Sequence, residues 1–385
     1  MADRSKIEWT DSTWSGWIGC TAVGPGQPRA RTGADNWAKP RTWNKRHFCE
    51  CRECGWRGER LELTSGHSSA DNAPVCPRCD SEHLQPVRRR VFCSSLSDVF
   101  DNEVPAAWRD DLFALIAQTP NLDWMILTKR IANAARYFDE HPEIAELVAD
   151  GHIWIGATVT AQAEADRDIP KLVEIEAAVR FVSVEPILGA LDLSKWLDPW
   201  TCTDCGFHGA ESDSGEAMCG HCGVPAAYDP VLGSAKCPEC GKDDGTDDNV
   251  GDSCPNCASV EGWSRDCGFR FGSDSPSLIQ WVIVGGESGK RARAPHPDHI
   301  TALVQQAERA GVPVMFKQWG EWIPMMGHAD GVSVVGEKFI HPDGTIMGWA
   351  GKHNAGRTLS GRTHLQFPGS PVPVASERDN EEVAA

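Results

Sequence analysis

The chain has 385 residues, enough to bury a full core and still carry appended modules, with 37 Lys and Arg against 55 Asp and Glu and a formal charge of −18. So acidic a chain does not bind nucleic acid through bulk attraction, and no apolar run approaches the roughly 18 residues of a membrane span. Its opening, MADRSKIEWTD, lacks the pattern of a secretory signal, so the expectation is a cytoplasmic protein with no membrane partner.

The charge is uneven. Residues 1–93 hold 15 Lys and Arg against 11 Asp and Glu, net +4, whereas 201–279 hold 4 against 14, net −10. A phosphate-bearing partner should meet the front of the chain and be repelled by the later segment.

In chain order, the first distinctive segment is 48–87, poor in large aliphatic residues and carrying Cys51-x-x-Cys54 and Cys76-x-x-Cys79. Short apolar β-rich runs follow at 91–93, 124–127, 153–156 and 181–184, each ending abruptly in polar residues. A helix is predicted over 105–119, with Pro105 in its first turn and Leu112, Phe113, Leu115 and Ile116 as its apolar side. Residues 200–278 interrupt the pattern with four more Cys-x-x-Cys pairs. It resumes with runs at 279–284 and 314–316 around a helix over 297–310 that Gly311 closes, and 366–385 reads as a solvated tail. With the 201–279 insert removed, strands start about every 30 residues, the spacing of βα units. Six strands buried on both faces argue for a parallel sheet, either doubly wound or closed into a full or partial barrel.

Twelve of the 16 cysteines fall in the six Cys-x-x-Cys pairs. Zinc takes four soft ligands in a tetrahedron, and a Cys-x-x-Cys turn presents two sulfurs on one side. Three structural Zn2+ sites are expected: Cys51, Cys54, Cys76 and Cys79; Cys202, Cys205, Cys219 and Cys222; Cys237, Cys240, Cys254 and Cys257. Gly55, Gly206, Gly223 and Gly241 follow the second cysteine of their pairs, where a tight knuckle needs a residue without a side chain. Redox dithiols or disulfides are the competing reading. Within 201–260 the pairing stays open, since Cys219 and Cys222 could also join Cys237 and Cys240. The ribbons read either as stabilised insertions and protein-docking knobs or as nucleic-acid contacts. The second reading concerns chiefly the basic first ribbon with Arg52, Trp56, Arg57 and Arg60.

Parallel α/β folds keep their chemistry beyond the carboxyl ends of the strands. Those ends here are Ser94, Ser95 and Asp98; Thr128, Lys129 and Arg130; Thr158; Glu185; Gly285, Gly286, Glu287, Ser288 and Gly289; and Lys317, Gln318 and Trp319. A strand running into Gly-Gly-Glu-Ser-Gly can bring backbone amides to a carboxylate or phosphate and leave Glu287 for an amine or hydroxyl. Each residue has a plainer reading as a cap, a surface charge or a turn. Six polar strand ends together read as a pocket for a zwitterionic or phosphorylated ligand. Gly285, Gly286, Glu287, Ser288, Thr158, Arg130 and Gln318 are the expected cofactor-binding set, and Cys20, Glu185, Lys129 and Lys317 the candidate catalytic residues. A hydrolase using one of the zincs is disfavoured, because four thiolates leave no open position.

The segments KIEWTDSTW, VFCSSLSDVFDNEVP, LDWMILTKR, IWIGATV, RFVSVEPILG, WVIVGGESG with the later HPD, GVPVMFKQWGEW and GKHNAGR resemble one family. It is the bacteriophage family named after phage gene products thirty-seven and sixty-eight, also called the three-cysteine-motif family. That family is similar to the spore-photoproduct-lyase type of radical S-adenosylmethionine (SAM) protein. The resemblance implies a partial β/α barrel and a Gly-Cys-x6-Cys-x2-Cys-Tyr segment holding a [4Fe–4S] cluster, with SAM on its fourth iron. Here the pattern departs from the family. Gly19-Cys20 through Gly26 follow it, but the chain then runs into Gln27-Pro28-Arg29, and the second and third cysteines are absent. Cys20 therefore reads as a relic, Cys93 as core, and Cys49 as incidental to the zinc site beside it.

The expected fold is α/β, a partial parallel β/α barrel of radical-SAM-like type with three inserted zinc ribbons. Residues 1–47 form its first part with the truncated cluster loop, 48–87 the first ribbon, 88–199 barrel, 200–278 the tandem ribbons, 279–365 the barrel end and 366–385 the tail. The expected function is a strand-end pocket for SAM or a nucleotide, serving nucleic-acid or nucleotide modification without an intact cluster motif. The competing class is a non-enzymatic zinc-binding adaptor or nucleic-acid-binding module. The resemblance also implies a separately encoded three-cysteine-motif partner protein.

Overall fold

Leu122, Trp124, Met125 and Ile126 lie along one strand and are all fully buried, which requires a sheet covered on both faces. A computed structural model describes residues 2–20, 28–65, 74–197, 277–325, 334 and 336–369, with the backbone of short strands between 200 and 270. It divides into two units, Met1–Ile187 and Leu188–Ala385. The fold is mixed α/β, and among the described residues seven strands pair in parallel, five in the first unit and two in the second.

In the first unit the strands are β1 (Ser12–Trp14), β2 (Arg89–Cys93), β3 (Leu122–Thr128), β4 (Ile153–Thr158) and β5 (Val179–Val184). They lie side by side in that order, with Trp124 of β3 opposite both Val91 and Ile153. Helices α1 (Ala34–Asn44), α2 (Ala106–Ala117), α3 (Ile131–Glu140), α4 (Pro142–Ala149) and α5 (Gln162–Val173) connect them. Gly156 in β4 has a specific packing reason: a Cβ there would lie 2.4 Å from the Phe181 ring of β5.

The second unit contains β6 (Trp281–Gly285), α6 (Pro297–Arg309) and β7 (Val314–Gln318), with β6 and β7 parallel. An antiparallel three-stranded sheet follows, Ile346–Trp349 lying between Trp322–Pro324 and Lys338–Ile340. Between 200 and 270 the backbone forms short antiparallel pairs, such as Met218–Cys219 with Val250–Gly251 and Ala227–Asp229 with Ser234–Lys236.

All six expected strands are present, as are both expected helices, within a few residues of the expected bounds. β1 and α1 were not anticipated. β1 is three residues long, too short for a pattern, and it is fixed by tertiary contact. Trp14 is fully buried and its Nε1 donates to the Asn36 carbonyl at 2.9 Å. α1 has no continuous apolar stripe and contains Pro40, so periodicity gave no signal. Among the described residues no helix is long and apolar enough to cross a membrane.

Candidate metal centre and strand-end residues

Phe48–Cys51, Arg57–Glu59 and Leu84–Val87 form an antiparallel sheet in the order Arg57–Glu59, Phe48–Cys51, Leu84–Val87. Knuckle turns in this segment carry Cys54, Cys76 and Cys79 toward Cys51, and one sulfur from each lies within 4.8 Å of the others. Cys51 Sγ and Cys79 Sγ are 3.6 Å apart, as are Cys54 Sγ and Cys76 Sγ. A disulfide would need about 2.05 Å. A tetrahedron with metal–sulfur arms of about 2.3 Å has edges of about 3.8 Å, so these residues fit a four-thiolate metal site such as zinc.

The electrostatics agree. Burial raises the Cys51 thiol, but hydrogen bonds from the backbone N–H groups of Cys54 and Glu53 and from the Cys79 thiol outweigh it and bring it to about 7. Cys79, despite a hydrogen bond from the Ser81 backbone, is pushed up to about 12 by Cys54 and the other sulfurs with partial desolvation. Four crowded thiols do not all ionise unaided, and a dication held between them would supply the missing charge. Of the other two expected sets, Cys205, Cys222, Cys237, Cys240, Cys254 and Cys257 lie outside the described residues. Cys202 and Cys219 lie in short strands described by their backbone.

The first ribbon is bolted to the sheet. Arg57, expected as an exposed basic contact, has 11% side-chain exposure and pairs with Asp11 and Glu50. Its Nη2 also donates to the Arg88 carbonyl at 2.7 Å. Arg89 pairs with Glu59 and stacks over Phe48 at 4.8 Å. Trp56 is packed against Gly58, where a Cβ would lie 2.3 Å from its ring. Arg52 and Arg60 remain exposed.

The residues present do not fit a [4Fe–4S] cluster, which needs three thiolates where Gly19-Cys20 offers one. Cys20 is buried and precedes 21–27, the segment expected to be a truncated cluster loop, which lies outside the described residues. Cys93 is sealed in β2, where burial pushes its thiol to about 12, and burial likewise raises Cys49.

At the strand ends of the first unit Asp98 is the hub. Its Oδ1 accepts from Thr128 Oγ1 at 2.8 Å and the Phe100 N–H at 3.0 Å, and its Oδ2 from the Lys129 N–H and Arg130 Nη1, both at 3.1 Å. Arg130 Nη2 lies 3.7 Å from Asp101, which Arg29 holds at 2.7 Å. The structure thus brings Asp98, Thr128 and Arg130 together. Ser94 is buried with φ +60°, and its N–H donates to the Trp14 carbonyl at 2.7 Å. Ser95 Oγ lies 3.4 Å from Ser15 Oγ, Thr158 is half-buried, Lys129 is exposed, and Ser183 Oγ approaches Glu185 at 3.5 Å.

In the second unit, the Gly286 N–H donates to the Gln318 carbonyl at 2.9 Å, and a Cβ there would lie 1.9 Å from the Trp319 carbonyl oxygen. This glycine is required by loop packing. Glu287 accepts from Arg293 Nε at 2.7 Å, Nη2 at 3.0 Å and the backbone N–H at 2.8 Å, bonds that hold its carboxyl below the usual range. Gln318 Nε2 donates to Ser288 Oγ at 2.8 Å, and Lys317 is half-buried at the end of β7.

A cleft that the sequence reading missed opens in the first unit, beside the loop after β2 and the helix after β3. Its cavity volume is about 70 Å³ and it is lined by Phe100, Asn102, Arg109, Asn133, Arg136, Tyr137 and Glu140. Four of these recur at i, i+3, i+4 and i+7 along α3, a polar stripe the sequence displays. Arg109 is oriented by the Val99 and Asp101 carbonyls and sits 5.0 Å from the Tyr137 ring centre. The Tyr137 hydroxyl is buried and in no well-formed hydrogen bond, and burial with nearby Asp110 keeps the phenol protonated far above neutral pH.

No curated protein and no solved structure matches the chain. A family profile, described as a protein of unknown function, matches residues 4–368, nearly the whole sequence, and the chain belongs to that family, DUF5131.

Proposed function

We propose that this is a zinc-stabilised protein with a partial β/α barrel that binds a phosphate-bearing ligand, a nucleotide or nucleic acid, at the strand ends of its first unit. The observation that carries this reading is the α2–α3 cleft. It gathers two guanidinium groups, Arg109 and Arg136, against one carboxylate, Glu140, with Asn102 and the protonated Tyr137 hydroxyl as further donors. Planar forks and hydroxyl donors around a small concavity suit phosphate oxygens. In this reading three sites hold Zn2+, the location is the cytoplasm, and a three-cysteine-motif protein is a partner. SAM is the second ligand choice, because its amino group would have to displace Arg293 from Glu287.

Calorimetry with adenosine triphosphate and with a short single-stranded DNA, at low and moderate salt, tests the reading. Binding that weakens about tenfold in Arg136→Ala and in Tyr137→Phe is expected. Absence of heat with both ligands overturns it. The adaptor reading would then stand, and it is favoured by the internal engagement of Asp98 with Arg130 and of Glu287 with Arg293.

A further inference from the structure

Two His-Pro-Asp tripeptides, 296–298 and 341–343, lie 45 positions apart and meet within the second unit. The first enters α6. His296 is its N-cap, and its Nδ1 accepts the Asp298 N–H at 3.2 Å. The second follows the strand Lys338–Ile340 in a turn that fixes Asp343, whose Oδ1 accepts the Thr345 N–H at 3.0 Å and whose Oδ2 accepts Thr345 Oγ1 at 2.9 Å. The two motifs touch where His296 Nε2 stands 2.9 Å from Asp343 Oδ2. One ligand atom from each of His296, Asp298 and Asp343 lies within 4.8 Å of the others. Two more imidazoles crowd the same place, with the His299 ring 4.7 Å and the His341 ring 4.6 Å from that of His296.

The plainer account makes His296 a helix cap that staples a turn. It explains Nδ1 and one carboxylate oxygen. It does not explain why three imidazoles share the spot, nor why His341 Nε2 is buried with no hydrogen-bond partner among the described residues.

We propose that the paired His-Pro-Asp motifs form a metal centre for a first-row divalent cation, with His296, Asp298 and Asp343 as protein ligands and the remaining positions open. Two neighbouring ligands at about 2.1 Å in octahedral geometry stand about 3.0 Å apart, and the His296–Asp343 pair already has that separation. Nε2 can offer its lone pair to a metal only when the ring proton sits on Nδ1, so binding moves that proton from Nε2 to Nδ1, gives up the bond from the Asp298 N–H, and leaves a neutral imidazole on the metal. An imidazole with two carboxylates is a nitrogen–oxygen set, unlike the closed four-sulfur ribbon, and it accepts Mn2+ as well as Zn2+. Three protein ligands leave room for water or substrate, the arrangement of catalytic rather than structural sites. The inference does not depend on the phosphate-ligand reading, since its residues lie wholly in the second unit.

Mn2+ is the probe, because thiolates that hold zinc discriminate against it. Full-length protein retaining its cysteine-bound metal is titrated with Mn2+ while the free-ion electron paramagnetic resonance signal is followed. One equivalent bound with a dissociation constant below about 100 μM is expected. His296→Asn keeps an N-cap acceptor, and Asp343→Asn keeps the turn. Each should weaken binding at least tenfold, whereas Glu146→Gln, at an exposed carboxylate on α4 of the first unit, should leave it unchanged. In unsubstituted protein, bound Mn2+ should broaden the imidazole proton resonances of His296, His299 and His341, a readout independent of any variant. No binding at millimolar Mn2+, full binding in both variants, or broadening confined to other histidines overturns the proposal.

Discussion

Arg57 grips Asp11 through two nitrogens, Nε 3.1 Å from Oδ1 and Nη2 3.0 Å from Oδ2, and so joins the cysteine ribbon to the residue just before β1. The same Asp11 Oδ2 accepts the Arg90 N–H at 2.8 Å, so one carboxylate ties together the ribbon, β1 and β2. The ribbon is therefore part of the first unit's core, and what happens at its four cysteines should be felt in the sheet.

Arg57→Ala leaves Asp11 and Glu50 in a site where the Arg57 side chain is only 11% exposed. Breaking a buried pair on one side costs about 3 kcal/mol. Denaturant unfolding followed by tryptophan fluorescence should show that loss, and Asp11→Asn combined with it should cost less than the two changes added. Strict additivity would show that the two side chains are not coupled.

Cys79→Ser removes one sulfur from a set spaced 3.6 Å across two edges. It should release one zinc per chain by mass spectrometry and lower the melting temperature, because ribbon and sheet share the Arg57 contact. Unchanged zinc content would remove the assignment of this tetrahedron to a metal.

Asp123, on β3 near Arg88, Arg90 and Arg57, supplies a pH test. Burial raises its carboxyl from 3.8 to about 6, against the pull of those arginines. A folded value above the unfolded one means the folded chain holds the proton more tightly. Stability from this group is therefore complete below about pH 4 and lost as pH rises through 6. The cost at pH 7.5 is on the order of 3 kcal/mol. Asp123→Asn should stabilise the protein by about 2 kcal/mol at pH 7.5 and by almost nothing at pH 4. A gain that does not depend on pH would assign the effect to packing.

The parallel βα units and the cysteine ribbon were legible because each rests on a local signal. β3 announces itself by continuous apolar residues, and the ribbon by pairs whose spacing zinc chemistry dictates. Long-range partners were not legible. Nothing near Arg57 in sequence indicates that Asp11 binds it, and nothing near Glu287 marks it as the partner of Arg293 rather than of a ligand. β1 escaped notice because Ser12–Trp14 is a strand by virtue of the neighbour it pairs with. The α3 stripe Asn133, Arg136, Tyr137 and Glu140 was visible in principle. It stayed hidden because a polar helix face is ordinarily solvated, and only the loop carrying Phe100 and Asn102 makes a cleft of it.

Gly286→Ala separates the two meanings of the Gly-Gly-Glu-Ser-Gly turn. If the glycine is there for a ligand's approach, alanine should spare folding and weaken only binding. The packing gives the opposite expectation, since the added Cβ would sit 1.9 Å from the Trp319 carbonyl oxygen and must push the loop after β7 away. Overpacking of this kind costs about 3 kcal/mol. Gly289→Ala meets nothing within 4 Å but must adopt φ +110°, so it should cost only about 1 kcal/mol, the left-handed penalty. The two variants should thus differ clearly in urea midpoint without any ligand present. Because the atom struck by Gly286→Ala belongs to the backbone, truncating the neighbouring side chain with Trp319→Ala should not restore stability. Recovery in that double variant would mean that side-chain crowding, not the approach of the two loops, set the requirement for glycine.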